Sequence, residues 1–133
     1  RKDIRDGLKA QLRDAKLKGA RTVELPQPLS KGWFFAPCVV LNPTPNMKVL
    51  TDEVFGPIAP IVVVKSEDEA IAAANNTEYG LGAAVWSRDT ARAERLARRI
   101  ESGFVAINDM VRSDPRLPFG GVKKSGVGRE LSH

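Results

Sequence analysis

This chain is poor in the residues that mark specialised chemistry. It has one cysteine and one histidine among 133 residues. A single thiol permits no internal disulfide, so a reducing, cytoplasmic setting is the expectation. One Cys and one His cannot build a metal centre, so no metal is expected. Aromatics are only 6% of the chain, and none interleaves Arg92, Arg95, Arg98 and Arg99. That stretch therefore offers bases no stacking platform. No apolar run nears the roughly 20 residues that span a bilayer. The start, Arg1-Lys2-Asp3-Ile4-Arg5-Asp6, lacks the apolar segment of a signal peptide. Neither a membrane nor a nucleic acid is expected as a partner.

What remains is ordinary soluble-protein composition, 42% apolar and 28% charged, with length for one domain and a real core. The net charge is +5, from 21 basic and 16 acidic residues. An acidic partner would suit it; a mixed surface whose acidic complement lies elsewhere suits it better. The first residues already follow a helical pattern, and the last follow a loop directly. The chain reads as a fragment of a larger polypeptide.

Ile4, Leu8, Leu12 and Ala15 predict an amphipathic helix, with Gly19 as its stop. Strands are expected at 21–25, 34–42, 59–65, 82–87 and 104–108. A Pro/Gly/Ser loop is expected through Pro26, Pro28, Ser30 and Gly32. Ser66 with Glu69 forms a capping box for a helix whose buried stripe is Ala70, Ile71 and Ala74. Asp89 caps another, facing inward through Ala93, Leu96, Ala97 and Ile100. No regular element is expected from Asp109 onward. Strands alternating with helices imply an α/β fold: a mainly parallel sheet with helices on both faces. Ligands then lie beyond strand carboxyl ends, as after Asn108.

Two stretches carry candidate chemistry. Glu53-Val54-Phe55-Gly56-Pro57 sets an acid and an aromatic on a Gly-Pro turn. A carboxylate can accept from two adjacent hydroxyls, as in a ribose, and a held ring can face a planar ligand. The plainer readings are a surface Glu53 and a core Phe55. Pro118-Phe119-Gly120-Gly121 lets backbone approach a ligand closely, and Phe119 can wall a pocket or merely pin its loop. Arg112-Ser113-Asp114 could hold a substrate carboxylate, although Arg112 reads better as a solvated loop charge. Cys38 lies mid-strand with no base nearby and reads as a small buried residue, not a nucleophile. The arginine stripe, interspersed with Glu94 and Glu101, reads as a solvated helix face.

In order, Gly32-Trp33-Phe34-Phe35-Ala36-Pro37, Glu53 to Pro57, Asn75-Asn76-Thr77-Glu78-Tyr79-Gly80-Leu81 and Pro118 to Glu130 resemble the aldehyde dehydrogenase superfamily. The likeness covers essentially the whole chain and is closest to succinate-semialdehyde dehydrogenase. It implies that residues 1–133 are the C-terminal portion of the catalytic domain. It implies NAD or NADP as cofactor, with Glu53 on the nicotinamide ribose and Phe55 against the nicotinamide. It implies Ser113 and Phe119 at an aldehyde pocket, and a homo-oligomer. The nucleophilic cysteine and general base would lie upstream, so this chain carries no catalytic residue and should be inactive alone. The rival expectation is a basic binding or assembly module without catalysis.

Overall fold

A computed structural model describes residues 1–26 and 31–131. The predicted loop positions Pro28 and Ser30, and the terminal Ser132 and His133, lie outside the described residues. The chain divides into two compact units, Arg1–Val63 and Val64–His133.

The first unit opens with helix α1 (Lys2–Leu17), which buries Leu8, Gln11, Leu12 and Ala15. Ile4 is half-buried. Gly19 takes φ +88°, and the Ala20 N–H returns to the Ala15 carbonyl at 2.9 Å, which closes the helix as a glycine stop should. Strands β1 (Arg21–Glu24), β2 (Cys38–Leu41) and β3 (Ile58–Ile61) follow, with the short helix α2 (Lys48–Thr51) between β2 and β3. β1 pairs antiparallel and β3 parallel with β2. The α1 stripe packs with Cys38, Val40, Met47, Val49 and Ile58 into one core. Each larger apolar side chain buried there contributes about 1.5–3 kcal/mol, so this helix–sheet contact dominates the unit.

All five predicted strands end shorter than the sequence predicts, and two of them show why. The 34–42 stretch pairs only over Cys38–Leu41. Gly32 at φ +87° turns the chain before it, and Pro37 has no N–H to donate. The 59–65 stretch pairs over Ile58–Ile61. Its last rung is the Asn42 N–H donating to the Ile61 carbonyl at 2.9 Å. Asn42, at φ +48°, then leads β2 away.

The second unit contains helices α3 (Glu67–Asn75) and α4 (Thr90–Ala97) and strands β4 (Tyr79–Gly80), β5 (Gly82–Val85), β6 (Phe104–Ile107) and β7 (Val122–Lys123). Both predicted caps are present. The Ser66 hydroxyl accepts from the Glu69 N–H at 3.1 Å, and the Glu69 carboxylate accepts from the Lys65 N–H at 2.7 Å. Asp89 accepts from the Arg92 N–H at 2.9 Å. β5, α4 and β6 form a crossover unit with parallel strands. The expected stripe of α3 is not buried: Ala70 and Ile71 are half-covered and Ala74 is exposed. A stripe made largely of alanine brings little area to bury.

The α/β reading holds, but a single mainly parallel sheet covered on both faces is not what the described residues form. They form three small sheets. Two ladders are parallel and two antiparallel, the latter being β1 with β2 and β4 with β7. The reason lies in the connections. Among the described residues no helix lies between β1 and β2, and antiparallel neighbours need no crossover. β7 and a bridge between Phe119 and Glu130 also correct the expectation of no regular structure after Asp109. Among the described residues no helix is long and apolar enough to cross a membrane.

Candidate functional site

The turn from Glu53 to Pro57 is fixed through its backbone. The Gln11 carboxamide donates to the Glu53 carbonyl at 3.1 Å. The Leu8 methyls lie so close to Gly56 that a Cβ there would overlap them. The Ile58 N–H donates to the Gly56 carbonyl at 2.8 Å, and the Cys38 N–H to the Pro57 carbonyl at 2.9 Å. The side chains are left free. Phe55 is 68% exposed, Glu53 is exposed, and no ion pair or hydrogen bond among the described residues engages its carboxylate.

Glu53 and Phe55 line one open hollow of about 290 Å³ with Ile4, Leu8, Gln11 and Lys48. An unengaged carboxylate beside an exposed ring over an apolar floor fits a hydroxyl-bearing ring joined to a planar heterocycle. The nicotinamide riboside end of NAD or NADP has those features, so the residues present fit that group.

Phe119 belongs to the second unit and serves partly as a packing residue. Its ring is half-buried against Phe104, with centroids 6.2 Å apart and planes tilted by 50°. Its N–H and carbonyl pair with Glu130 at 2.8 and 2.9 Å. It also lines a hollow of about 300 Å³ with Leu81, Ser125, Val127, Arg129 and Glu130. Ser113 is exposed and lines neither of these hollows. Around it the guanidinium groups are engaged locally, Arg112 with Asp109 at 2.9 Å and Arg116 with Asp114 at 2.6 Å. The Arg116 side chain, and then its N–H, hold the Asp114 carboxyl well below the usual carboxylate range. Arg112 thus behaves as the loop charge its sequence context suggested.

Cys38 is buried. Burial pushes its thiol up, and Glu24 adds to the effect, which is the opposite of nucleophile activation. Arg92 on α4 pairs with Glu67, and Arg99, just past the helix, with Asp68 at 2.6 Å, so two members of the basic stripe already face carboxylates.

Gln11 bears on these loops and escaped the sequence reading, while Asn75 and Lys123 fall in stretches singled out for their family likeness without their contacts being foreseen. Gln11 is a polar residue within an apolar helical stripe, and that misfit was a readable signal. Asn75 gives its amide to the Arg99 carbonyl at 2.9 Å and accepts from the Glu101 N–H at 2.8 Å. Lys123 reaches the Asn75 and Thr77 carbonyls at 2.9 and 3.1 Å and the Glu101 carboxylate at 2.7 Å. Nothing local in the sequence announces these contacts of Asn75 and Lys123.

The aldehyde dehydrogenase family model matches residues 1–133. Over 126 residues the chain is 50% identical to the succinate-semialdehyde dehydrogenase [NADP(+)] of Deinococcus radiodurans, covering 94% of this chain and 26% of that protein. It is 42% identical over 132 residues to the Escherichia coli succinate semialdehyde dehydrogenase [NAD(P)+] Sad, covering 98% and 29%. A betaine aldehyde dehydrogenase structure from Staphylococcus aureus, in complex with NAD+, superposes with a TM-score of 0.92 at 37% identity, covering 99% of this chain and 27% of that one. The chain spans about a quarter of the length of the relatives it matches. A match along its whole length, carried by both sequence and fold, places this chain in the aldehyde dehydrogenase family.

Proposed function

We propose that residues 1–133 are the C-terminal portion of the catalytic domain of an NAD(P)-dependent aldehyde dehydrogenase acting on succinate semialdehyde. The overall reaction takes aldehyde, NAD(P)+ and water to carboxylic acid, NAD(P)H and a proton. The likeness to two succinate-semialdehyde dehydrogenases supports the substrate. When bound, NAD(P)+ would supply the hydride acceptor for the aldehyde carbon. Glu53 accepts hydrogen bonds from the ribose hydroxyls, and Phe55 sets its ring against the nicotinamide. Ser113 donates its hydroxyl to the distal carboxylate of the aldehyde, and Phe119 walls the pocket from its seat on Phe104. The nucleophile and general base are assigned to polypeptide this chain does not span.

The observation that carries this reading is the Glu53–Pro57 turn, with its backbone tethered at four points and its two functional side chains unengaged. Preorganised backbone with free side chains is how a binding loop limits its ordering cost. The test is NADH titration by fluorescence on the full-length protein that carries this chain. Phe55→Ala should weaken NADH at least about fivefold, a lost aromatic contact being worth over about 1 kcal/mol. Stability should change by under about 0.5 kcal/mol, because the ring is exposed. Unchanged affinity would remove Phe55 from the cofactor site. The isolated 133-residue chain should not reduce NAD(P)+ with succinate semialdehyde.

A further inference from the structure

We infer that Gln11 is a positioning residue for the cofactor, setting where Glu53 stands without touching the ligand's reacting end. The inference rests on the reading of Glu53 as a ribose ligand. Gln11 is the one polar side chain buried among the described residues, 8% exposed on the core face of α1. A buried carboxamide is costly unless it is hydrogen-bonded. Its amide donates to the main-chain carbonyl of Glu53, 42 positions away. One turn earlier on the same helix, Leu8 abuts Gly56. Helix α1 therefore grips the turn on both sides of Phe55, by a hydrogen bond at Glu53 and by packing at Gly56. The packing contact limits how near the turn can come. The directional contact fixes the rotation of the peptide after Glu53, and with it the direction in which the carboxylate leaves the backbone. Loosening that peptide leaves Glu53 present but misaimed, and misplacement by about 1 Å is enough to lose a bidentate contact.

The test uses the full-length protein and two near-isosteric variants that lack the donor, Gln11→Met and Gln11→Glu. Leu12→Ala serves as the control, since it weakens the same helix but leaves the Gln11 donor in place. The expected result is an NADH Kd raised about fivefold to tenfold in both donor-lacking variants, the scale of one buried hydrogen bond. The Leu12→Ala Kd should stay at the wild-type value wherever that protein is folded. Hydrogen exchange without cofactor should quicken at residues 53–56 in the Gln11 variants and not in Leu12→Ala. Turnover should show a raised KM for NAD(P)+ with KM for the aldehyde unchanged. Equal Kd values in wild type and Gln11→Met, or an equal loss in Leu12→Ala, overturn the inference while leaving Glu53 as a ligand. Failure of both Gln11 variants to fold also overturns it, since Gln11 would then be a core residue only. Wild-type protein that does not bind NADH overturns the reading beneath it as well.

Discussion

Gly103 stands against the main-chain carbonyl of Gly120, so close that a Cβ on Gly103 would overlap it and come within 3.1 Å of the Gly121 Cα. The start of β6 and the loop bearing Phe119 are in backbone contact there, and only hydrogen fits between them. The Gly103 N–H is also committed, to the Gly80 carbonyl at 3.0 Å. The segment cannot simply back away.

Gly103→Ala should therefore cost about 1–3 kcal/mol by overpacking and push the Phe119 loop off Phe104. In the full-length protein the KM for aldehyde should rise, while NADH affinity holds. Gly7→Ala is the comparison. Gly7 lies in α1 with nothing within 4 Å of a new Cβ, and alanine should stabilise there by about 0.5–1 kcal/mol. Thermal unfolding of both variants checks the pair; equal effects would remove the steric argument.

Lys123 has a backbone that L-residues rarely adopt, φ +55°, and an ammonium with three oxygen partners. Two are carbonyls at the end of α3, and the third is the Glu101 carboxylate. The side chain holds what the backbone would relax from. Lys123→Met keeps the aliphatic stem and should lose about 2 kcal/mol, in line with hydrogen bonds from a charged donor. Amide exchange should quicken at Phe119 and Glu130, whose bridge continues the same loop. Unaltered protection at those two amides would confine Lys123 to the end of α3.

Where the sequence was legible, the signal was local. Leu8, Leu12 and Ala15 sit at helical spacing and are buried. Ser66 and Asp89 each lie three residues before the N–H they accept. Where it was not, the determinant lay far along the chain. β7 exists because Val122 pairs with Gly80. The 38–41 limit of β2 depends on where β3 runs beside it. Phe119 reads equally as pocket wall or packing residue until Phe104 is placed beneath it. At the turn, Glu53 and Phe55 could be singled out from Gly56-Pro57, but the grip of Gln11 and Leu8 could not.

Asp14 links the two helices of the first unit. Its carboxylate accepts from the Lys48 N–H, the first of α2, at 2.9 Å, and pairs with Lys18 at 2.9 Å. The Lys48 N–H first, and Lys18 second, lower its pKa from the ordinary value. A folded-state pKa below the unfolded value means that this stabilisation is full above the unfolded pKa of about 3.9 and is lost as pH falls through the folded one. Wild-type protein should thus lose stability through Asp14 as pH falls below the unfolded pKa. Asp14→Asn keeps an acceptor for the Lys48 N–H but cannot titrate. It should start less stable at pH 7, without the Lys18 pair, and fall less steeply with acid. Denaturant unfolding of both proteins across that fall in pH is the measurement. Parallel curves would mean that Asp14 has the same proton affinity folded and unfolded, and that the start of α2 owes nothing to its charge.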